Sequence, residues 1–209
     1  AIMDKYDHEH RVGLIVDEWG TWFDCEPGTN PGFLYQQNTM RDAMVAALTL
    51  HILVSHCDRV VMANIAQMVN VLQAVILTDG AKMICTPTYH VFDLYKAHHD
   101  ANYLSSAITC DECSGVKQLT ATASEKEGVI TLTATNTSCT DALDVVVHLS
   151  GASAKNVTAR ILTGDMHDKK TFEDAEKVTV KPFDAVRVTE TGLTMTLPAC
   201  SVVEVTIRG

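Results

Sequence analysis

Arg11-Val12-Gly13-Leu14-Ile15-Val16-Asp17-Glu18-Trp19-Gly20-Thr21-Trp22 carries the main clue to the architecture of this chain. Leu14-Ile15-Val16 is a short, uninterrupted apolar run of the kind expected of a strand buried on both faces. It stops at two adjacent carboxylates, Asp17 and Glu18, and two tryptophans follow at Trp19 and Trp22. In a parallel barrel or doubly wound sheet, the C-terminal end of a strand opens onto the active-site face. A carboxylate there, beside indole surface, suits carbohydrate chemistry: the acid reacts and the aromatic faces hold the sugar. An N-terminal edge strand ending in a solvated acidic turn fits the same residues.

Downstream, Glu26-Pro27-Gly28-Thr29-Asn30-Pro31-Gly32 is a loop punctuated by Pro and Gly, placed where substrate contacts commonly lie. Met40, Met44, Ala47, Leu48, Leu50, Ile52 and Leu53 then recur near helical spacing, behind Asn38 or Thr39 as N-cap. This predicts a buried amphipathic helix of about five turns, with its methionines in the core. Cys57-Asp58 breaks it, and Arg59-Val60-Val61-Met62-Ala63 reads as a second strand. Strand, loop, helix and strand make a βαβ unit whose crossover implies parallel strands. Asn64, Gln67 and Asn70 follow, on the rim expected to carry Glu18. Amides that donate and accept suit sugar hydroxyls, and they equally suit caps and turns. Thr78-Asp79-Gly80 reads as a turn. Pro87 opens a helix predicted to run to about His99, with Tyr89, Val91, Phe92 and Tyr95 facing inward.

The composition changes near residue 101. From Gly115 onward Val, Thr, Ile and Leu alternate, as in Ile130–Ala134, Val145–Leu149, Val157–Leu162, Val178–Val180, Val186–Val188, Leu193–Leu197 and Val202–Ile207. Short strands separated by Gly, Asn and Asp turns predict an antiparallel sandwich, and no catalytic cluster lies among them.

The whole chain has 209 residues, enough for one or two domains with a core. Its apolar content of 46% and charged content of 20% are those of a globular protein, and the net charge of -10 argues against nucleic acid or an anionic membrane surface as partner. No apolar run approaches the roughly 18 to 20 residues that span a bilayer. The stretch from Ala1 to Asp7 lacks signal-peptide character and an initiator Met, and it reads as the end of a helix already under way. Seven scattered cysteines make no disulfide framework, which favours a reducing compartment and a cytoplasmic location. Cys110-Asp111-Glu112-Cys113 has metal or redox spacing but no second pair, so free thiols in a linker are the favoured reading over a metal role. His8 and His10 are expected in a charged surface turn, and His98 and His99 at the solvated end of a helix.

Val16-Asp17-Glu18-Trp19-Gly20-Thr21-Trp22, then Asp58-Arg59-Val60, then Ala66-Gln67-Met68-Val69-Asn70-Val71 resemble the C-terminal part of the α-L-arabinofuranosidases of glycoside hydrolase family 51. The resemblance is close over residues 1 to 105, and the later half agrees in position and type. It implies a fold that is α/β followed by all-β: residues 1–105 as the last portion of a (β/α)8 barrel, its strands 7 and 8, and residues 106–209 as a C-terminal antiparallel, jelly-roll-like β-sandwich. It also implies that Glu18 is the nucleophile, that Trp22 and Gln67 line the sugar pocket, and that Asn70 is a rim or supporting group. No cofactor and no metal are implied. The implied partners are an arabinose-containing oligo- or polysaccharide, the N-terminal half of the barrel, and further copies of the full enzyme in a homo-oligomer.

A retaining glycosidase needs a second carboxylate about 5 to 5.5 Å from the nucleophile. The family's Gly-Asn-Glu-like acid/base motif does not occur here, and a complete barrel needs roughly 250 residues. Asp17 is expected to face away from Glu18 by strand alternation, and Glu26 lies on a loop. The chain therefore reads as a fragment that bears the nucleophile and lacks the acid, inactive alone. Two other classes stay open. A non-catalytic carbohydrate-binding module would need an aromatic platform on the sandwich, which holds only Phe172 and Phe183. An assembly domain would pack against partner subunits.

Overall fold

The structure, a computed structural model, describes residues 2–209. Of the N-terminal stretch read as a helix end, Ala1 lies outside these residues and Met3–Lys5 forms a single 3-10 turn. In chain order the elements are β1 (Leu14–Trp19), α1 (Met40–Ser55), β2 (Val60–Ile65), β3 (Ile76–Asp79), β4 (Lys82–Cys85), α2 (Pro87–Tyr95), β5 (Asn102–Leu104), β6 (Glu112–Cys113), β7 (Val116–Lys117), β8 (Leu119–Lys126), β9 (Val129–Asn136), β10 (Leu143–His148), β11 (Asn156–Thr163), β12 (Lys181–Pro182), β13 (Val186–Thr189), β14 (Gly192–Leu197) and β15 (Ser201–Arg208).

β1 and β2 pair in parallel across the α1 crossover, which is the expected βαβ unit. Asp42 at the third helical position accepts from both the backbone N–H and the hydroxyl of Thr39, so the start of α1 is fixed where the residue types suggested. Ala43, Ala46 and Ala47 keep one face of α1 flat enough for the Tyr95 hydroxyl of α2 to reach the Ala47 carbonyl at 3.2 Å. The Arg59 guanidinium ties the N-terminal segment to the start of β2. It donates to Asp4 at 3.0 Å, to the Asp7 carbonyl at 2.7 Å and to the Val12 carbonyl at 3.0 Å, and also pairs with the Asp7 carboxylate.

The later half forms a six-stranded sheet in the order β12-β11-β15-β9-β8-β5, faced by a three-stranded sheet β10-β14-β13, and every pair in both is antiparallel. Ala121, Leu132, Ala134, Ile161, Val203, Val205 and Ile207 from the larger sheet meet Val145, Leu193, Met195 and Leu197 from the smaller one in a sandwich core. β5 gives the larger sheet its edge strand, directly after α2.

The second face of the six-stranded sheet is covered by the helices. Met40, Ala43, Met44, Ala46 and Ala47 of α1 and Val91, Leu94 and Tyr95 of α2 share one cluster with Leu162 of β11, Val202 of β15, and Val178. Trp19 packs against the same cluster from the β1–β2 side, so the helices lie between the β1–β2 pair and the six-stranded sheet.

Four sequence expectations need correction. Leu14-Ile15-Val16 is not buried on both faces: Leu14 is 43% exposed and Ile15 50%, with Val61 at 65% and Met62 at 53% on β2. These strands form a two-stranded sheet with one face on the helices, and nothing among the described residues covers the other. Val178-Thr179-Val180 is an irregular segment whose Val178 fills the helix-side core. Tyr89 is exposed, and Leu94 takes the inward place. His98 is not solvated. Its ring contacts the Ser124 hydroxyl at 2.7 Å and the Thr133 hydroxyl at 3.0 Å, and burial lowers its pKa to about 4. A polar helix end docks here onto a sheet face lined with hydroxyls, which offers the imidazole partners that water otherwise supplies.

Candidate functional site

Parallel pairing brings the C-terminal ends of β1 and β2 side by side. Trp19 pairs with Ile65, and the Ala66 N–H donates to the Trp19 carbonyl at 2.9 Å. Glu18 precedes that contact by one residue and Gln67 follows it by one, so the two leave neighbouring strand ends on one rim. Glu18 is exposed and makes no hydrogen bond or ion pair among the described residues. The register slips between Val16 and Trp19, so Asp17 and Glu18 occupy an interruption of the ladder and strict alternation does not govern them. Both carboxylates are exposed.

The two tryptophans have different places. Trp19 turns to the helices and stacks on Phe92, with ring centroids 6.1 Å apart and planes at 19°. Trp22 is 67% exposed, on a segment held at both neighbouring residues. The Thr21 hydroxyl donates to Asp42 at 3.0 Å, and the Phe23 N–H donates to Gln36 Oε1 at 2.6 Å. The Arg41 guanidinium sits 3.8 Å from the centre of the Phe23 ring.

Gln67 is exposed and follows a cis Ala66–Gln67 peptide bond; its carbonyl accepts from the Val75 N–H at 3.1 Å. Asn70 has φ of 57°, in the left-handed region that Asn tolerates. Its side chain is occupied on both ends by Thr78: Nδ2 donates to the Thr78 hydroxyl at 2.8 Å and to its carbonyl at 3.2 Å, while Oδ1 accepts from its N–H at 2.7 Å. Asn70 thus clips the β3–β4 hairpin, whose strands the residue pattern does not announce, to the β2 end of the rim.

Two concavities border these loops. One, of about 590 Å³, is lined by Phe33, Tyr35, Leu77 and Phe172 with Asn70 and Asp79. Burial, and then the Glu26 carboxylate, push the Tyr35 phenol pKa up. Phe172 lies here against Tyr35, Ala74 and Leu77 rather than on a sandwich face. The other, of about 490 Å³, is polar and is lined by Asp24, Glu26, Arg41, His167 and Lys169. Among the described residues no group of three or more His, Cys, Asp or Glu side chains is arranged to hold a metal ion. Cys110 and Cys113 are free thiols on and beside the β6–β7 hairpin. No helix of the described residues is long and apolar enough to cross a membrane.

Sequence reading missed the polar residues beneath this rim: Gln36, Asp42 and Gln73 are all buried. Only Asp42 had a local signal, the Thr39-x-x-Asp42 spacing of a reciprocal helix cap.

Residues 17–201 match the family model of the α-L-arabinofuranosidase C-terminal domain. An intracellular exo-α-L-arabinofuranosidase of Bacteroides ovatus is 44% identical over 215 aligned residues, covering all of this chain and 42% of the relative. The crystal structure of the family 51 arabinofuranosidase of Xanthomonas axonopodis pv. citri superposes with a TM-score of 0.92 at 43% identity, over 99% of this chain and 43% of that one. An α-L-arabinofuranosidase of Thermotoga maritima, solved with arabinose, shares the fold at 22% identity and a TM-score of 0.85, over 99% of this chain and 45% of that one. The chain therefore spans less than half the length of these relatives. It belongs to the α-L-arabinofuranosidase C-terminal domain family.

Proposed function

We propose that this chain is the nucleophile-bearing part of a retaining exo-acting α-L-arabinofuranosidase, which removes terminal arabinofuranosyl units from arabinan- or arabinoxylan-type glycans. The part before β5 contributes the last two strands of a (β/α)8 barrel, and the C-terminal sandwich begins with β5 at Asn102, a few residues ahead of the expected boundary at 105. Glu18 attacks the anomeric carbon while an acid from the remainder of the barrel protonates the departing oxygen; water then resolves the glycosyl-enzyme with retention. Trp22 and Gln67 hold the sugar, and Asn70 supports the rim. No cofactor enters this chemistry.

The observation that carries this reading is the pairing of β1 with β2, which sets Glu18 and Gln67 on either side of the Trp19–Ala66 hydrogen bond with Trp22 exposed nearby. The uncovered apolar residues Leu14, Ile15, Val61 and Met62 support it too, since the other strands and helices of a complete barrel would cover them. Without the acid and most of the pocket the chain alone is inactive, and the same exposure makes it self-associate when the rest of the barrel does not cover these residues; the full enzyme is a homo-oligomer. The relative from Bacteroides ovatus is named intracellular, which supports a cytoplasmic location here. A binding or assembly domain is the second reading; Glu18 at an open rim favours the hydrolase.

Hydrolysis of an aryl α-L-arabinofuranoside tests the proposal. The full-length enzyme is expected to be active, the 209-residue chain inactive, and full-length Glu18→Gln reduced at least about 1,000-fold. Substantial turnover by Glu18→Gln would sink the nucleophile assignment, and turnover by the chain alone would sink the missing-acid account.

A further inference from the structure

We infer that Asp42, a buried carboxylate in the first turn of α1, is a positioning residue of the sugar site, fastening the Trp22 loop and the Gln67 loop to one point. The inference rests on the reading of Glu18, Trp22 and Gln67 given above.

Asp42 is 3% exposed and accepts more hydrogen bonds than a helix cap requires. The cap itself uses the Thr39 N–H at 2.7 Å and the Thr39 hydroxyl at 3.1 Å, both on Oδ2. The other donors come from outside the cap. The Thr21 hydroxyl, between Glu18 and Trp22 in sequence, donates to Oδ1 at 3.0 Å. The Gln73 carboxamide lies between Asp42 and Gln36; a carboxylate only accepts, so we assign its nitrogen to Asp42, 3.0 Å from Oδ1 and 3.2 Å from Oδ2, in place of the opposite orientation in which that nitrogen donates to Gln36 Oε1 at 3.3 Å. The Arg41 guanidinium adds longer contacts, 3.4 Å to Oδ1 and 3.3 Å to Oδ2, while its face covers Phe23.

Thr21 and Gln73 belong to different strand-end loops. Thr21 is two residues beyond the end of β1 and adjoins Trp22. Gln73 lies in the return segment after β2, whose Val75 N–H donates to the Gln67 carbonyl at 3.1 Å. Asp42 therefore joins the two loops through space, although they are 52 residues apart at Thr21 and Gln73. An amide at this position keeps one acceptor oxygen, which serves either the cap or the loops. Thr39 alone would be satisfied by the Asp42 oxygen it already shares; the second oxygen is what reaches Thr21.

A loose sugar site loses rate steeply, since a misplacement of about 1 Å costs on the order of 100-fold. The test uses the full-length enzyme with an aryl α-L-arabinofuranoside. Thr21→Val removes the loop hydroxyl and leaves the cap intact, and Thr21→Ser restores the hydroxyl. Thr21→Val is expected to lower kcat/KM by about 10- to 100-fold with a raised KM, and to keep its Tm close to that of the parent. Thr21→Ser is expected to recover most of that loss. Asp42→Asn is expected to reproduce the Thr21→Val defect, and combining the two is expected to add little. Unchanged kinetic constants in Thr21→Val, or failure of Thr21→Ser to restore them, overturn the inference. If Asp42→Asn does not fold, the Thr21 pair decides alone. Glu18→Gln separates the two levels: activity surviving there removes the underlying reading, whereas its loss together with a fully active Thr21→Val removes only the role of Asp42.

Discussion

Arg160 on β11 donates across the boundary between sheet and helix to Asp93 on α2, at 2.8 Å. The same guanidinium holds Glu204, its cross-strand neighbour on β15, with Nε 2.7 Å from Oε2. The Glu204 side chain is 8% exposed, so it depends on this partner. Removing Arg160 leaves a nearly buried carboxylate uncompensated, which is destabilising, although the partial exposure of Arg160 itself screens the interaction. Arg160→Leu is expected to cost about 1–3 kcal/mol in urea unfolding. The double variant with Glu204→Leu is expected to lose less than the two single losses combined, and strict additivity would argue against the coupling.

His98 makes the stability of the fold depend on pH in one direction. Its pKa is 6.5 as a free imidazole and about 4 when folded, because burial disfavours the cation. Between these values the unfolded chain binds more protons, so stability is complete above about pH 6.5 and falls as the pH drops toward 4. His90 adds the same sign. Burial, and then the Lys170 amine 2.9 Å from its Nε2, lower it to about 4. His98 contributes at most about 3 kcal/mol of this acid loss, and His90, which is more open to solvent and so more screened, contributes less. His98→Gln is expected to flatten the slope of the unfolding free energy between pH 6.5 and 4 relative to the parent. An unchanged slope would exclude His98 as a source.

Asn136 closes a buried junction between β9 and the turn that follows β14. Its Nδ2 lies 2.9 Å from the Asp141 carbonyl, 3.1 Å from that of Leu197 and 2.9 Å from that of Pro198, while Oδ1 accepts from the Ser138 N–H at 3.0 Å. Replacing the amide nitrogen by oxygen points an acceptor at three carbonyls. Asn136→Asp is therefore expected to cost about 3 kcal/mol or more, and to be worse above the carboxyl pKa than below it. Thermal unfolding at pH 7.5 and pH 4 gives the comparison; equal losses at both would contradict the donor role.

Gly192 opens β14 at φ of 156°, opposite His148. A Cβ there would lie 2.1 Å from the Val147 carbonyl oxygen and 3.0 Å from its carbon, both backbone atoms of the paired strand. Gly192→Ala is expected to cost more than about 2 kcal/mol. Gly151 also has a positive φ, 79°, but a methyl group added there would meet nothing within 4 Å, so Gly151→Ala should cost about 1 kcal/mol. Equal losses at the two sites, by chemical denaturation, would show that contact is not the difference.

Much of the sandwich was legible because its inward residues alternate: Leu132 and Ala134 on β9, and Val203, Val205 and Ile207 on β15, fill the inter-sheet core. The same alternation misleads about the other face. Thr131, Thr133 and Thr135 alternate with the core residues and so point to the opposite face, yet all are buried beneath the helices, as are Thr122 and Ser124. A threonine hydroxyl tolerates burial when another side chain replaces water, as His51 does for Thr122 at 2.9 Å. Nothing local in a strand announces that partner. Leu14-Ile15-Val16 misled in the opposite sense, since an apolar run reports the environment of a completed sheet and not the two strands present. At the rim, Glu18, Trp22 and Gln67 stood out as residue types at strand ends. Asp42 and its donors did not, because Thr21 and Gln73 meet it only through tertiary contact.

The segment between β11 and β12 returns from the sandwich to the start of α1. The Met40 N–H donates to the Asp168 carbonyl at 2.8 Å, the Arg41 N–H donates to the Met166 carbonyl at 2.9 Å, and Thr39 bridges to Lys169. Val178 from the same segment sits in the helix core beside Leu162 and Val202. A recombination event at the composition change near residue 101 would therefore strip the first turn of α1 of its partners and open the core under Trp19. The sandwich cannot be traded between enzymes like a detachable cassette; it is inherited together with the strand ends it supports, and drift in one half constrains acceptable substitutions in the other.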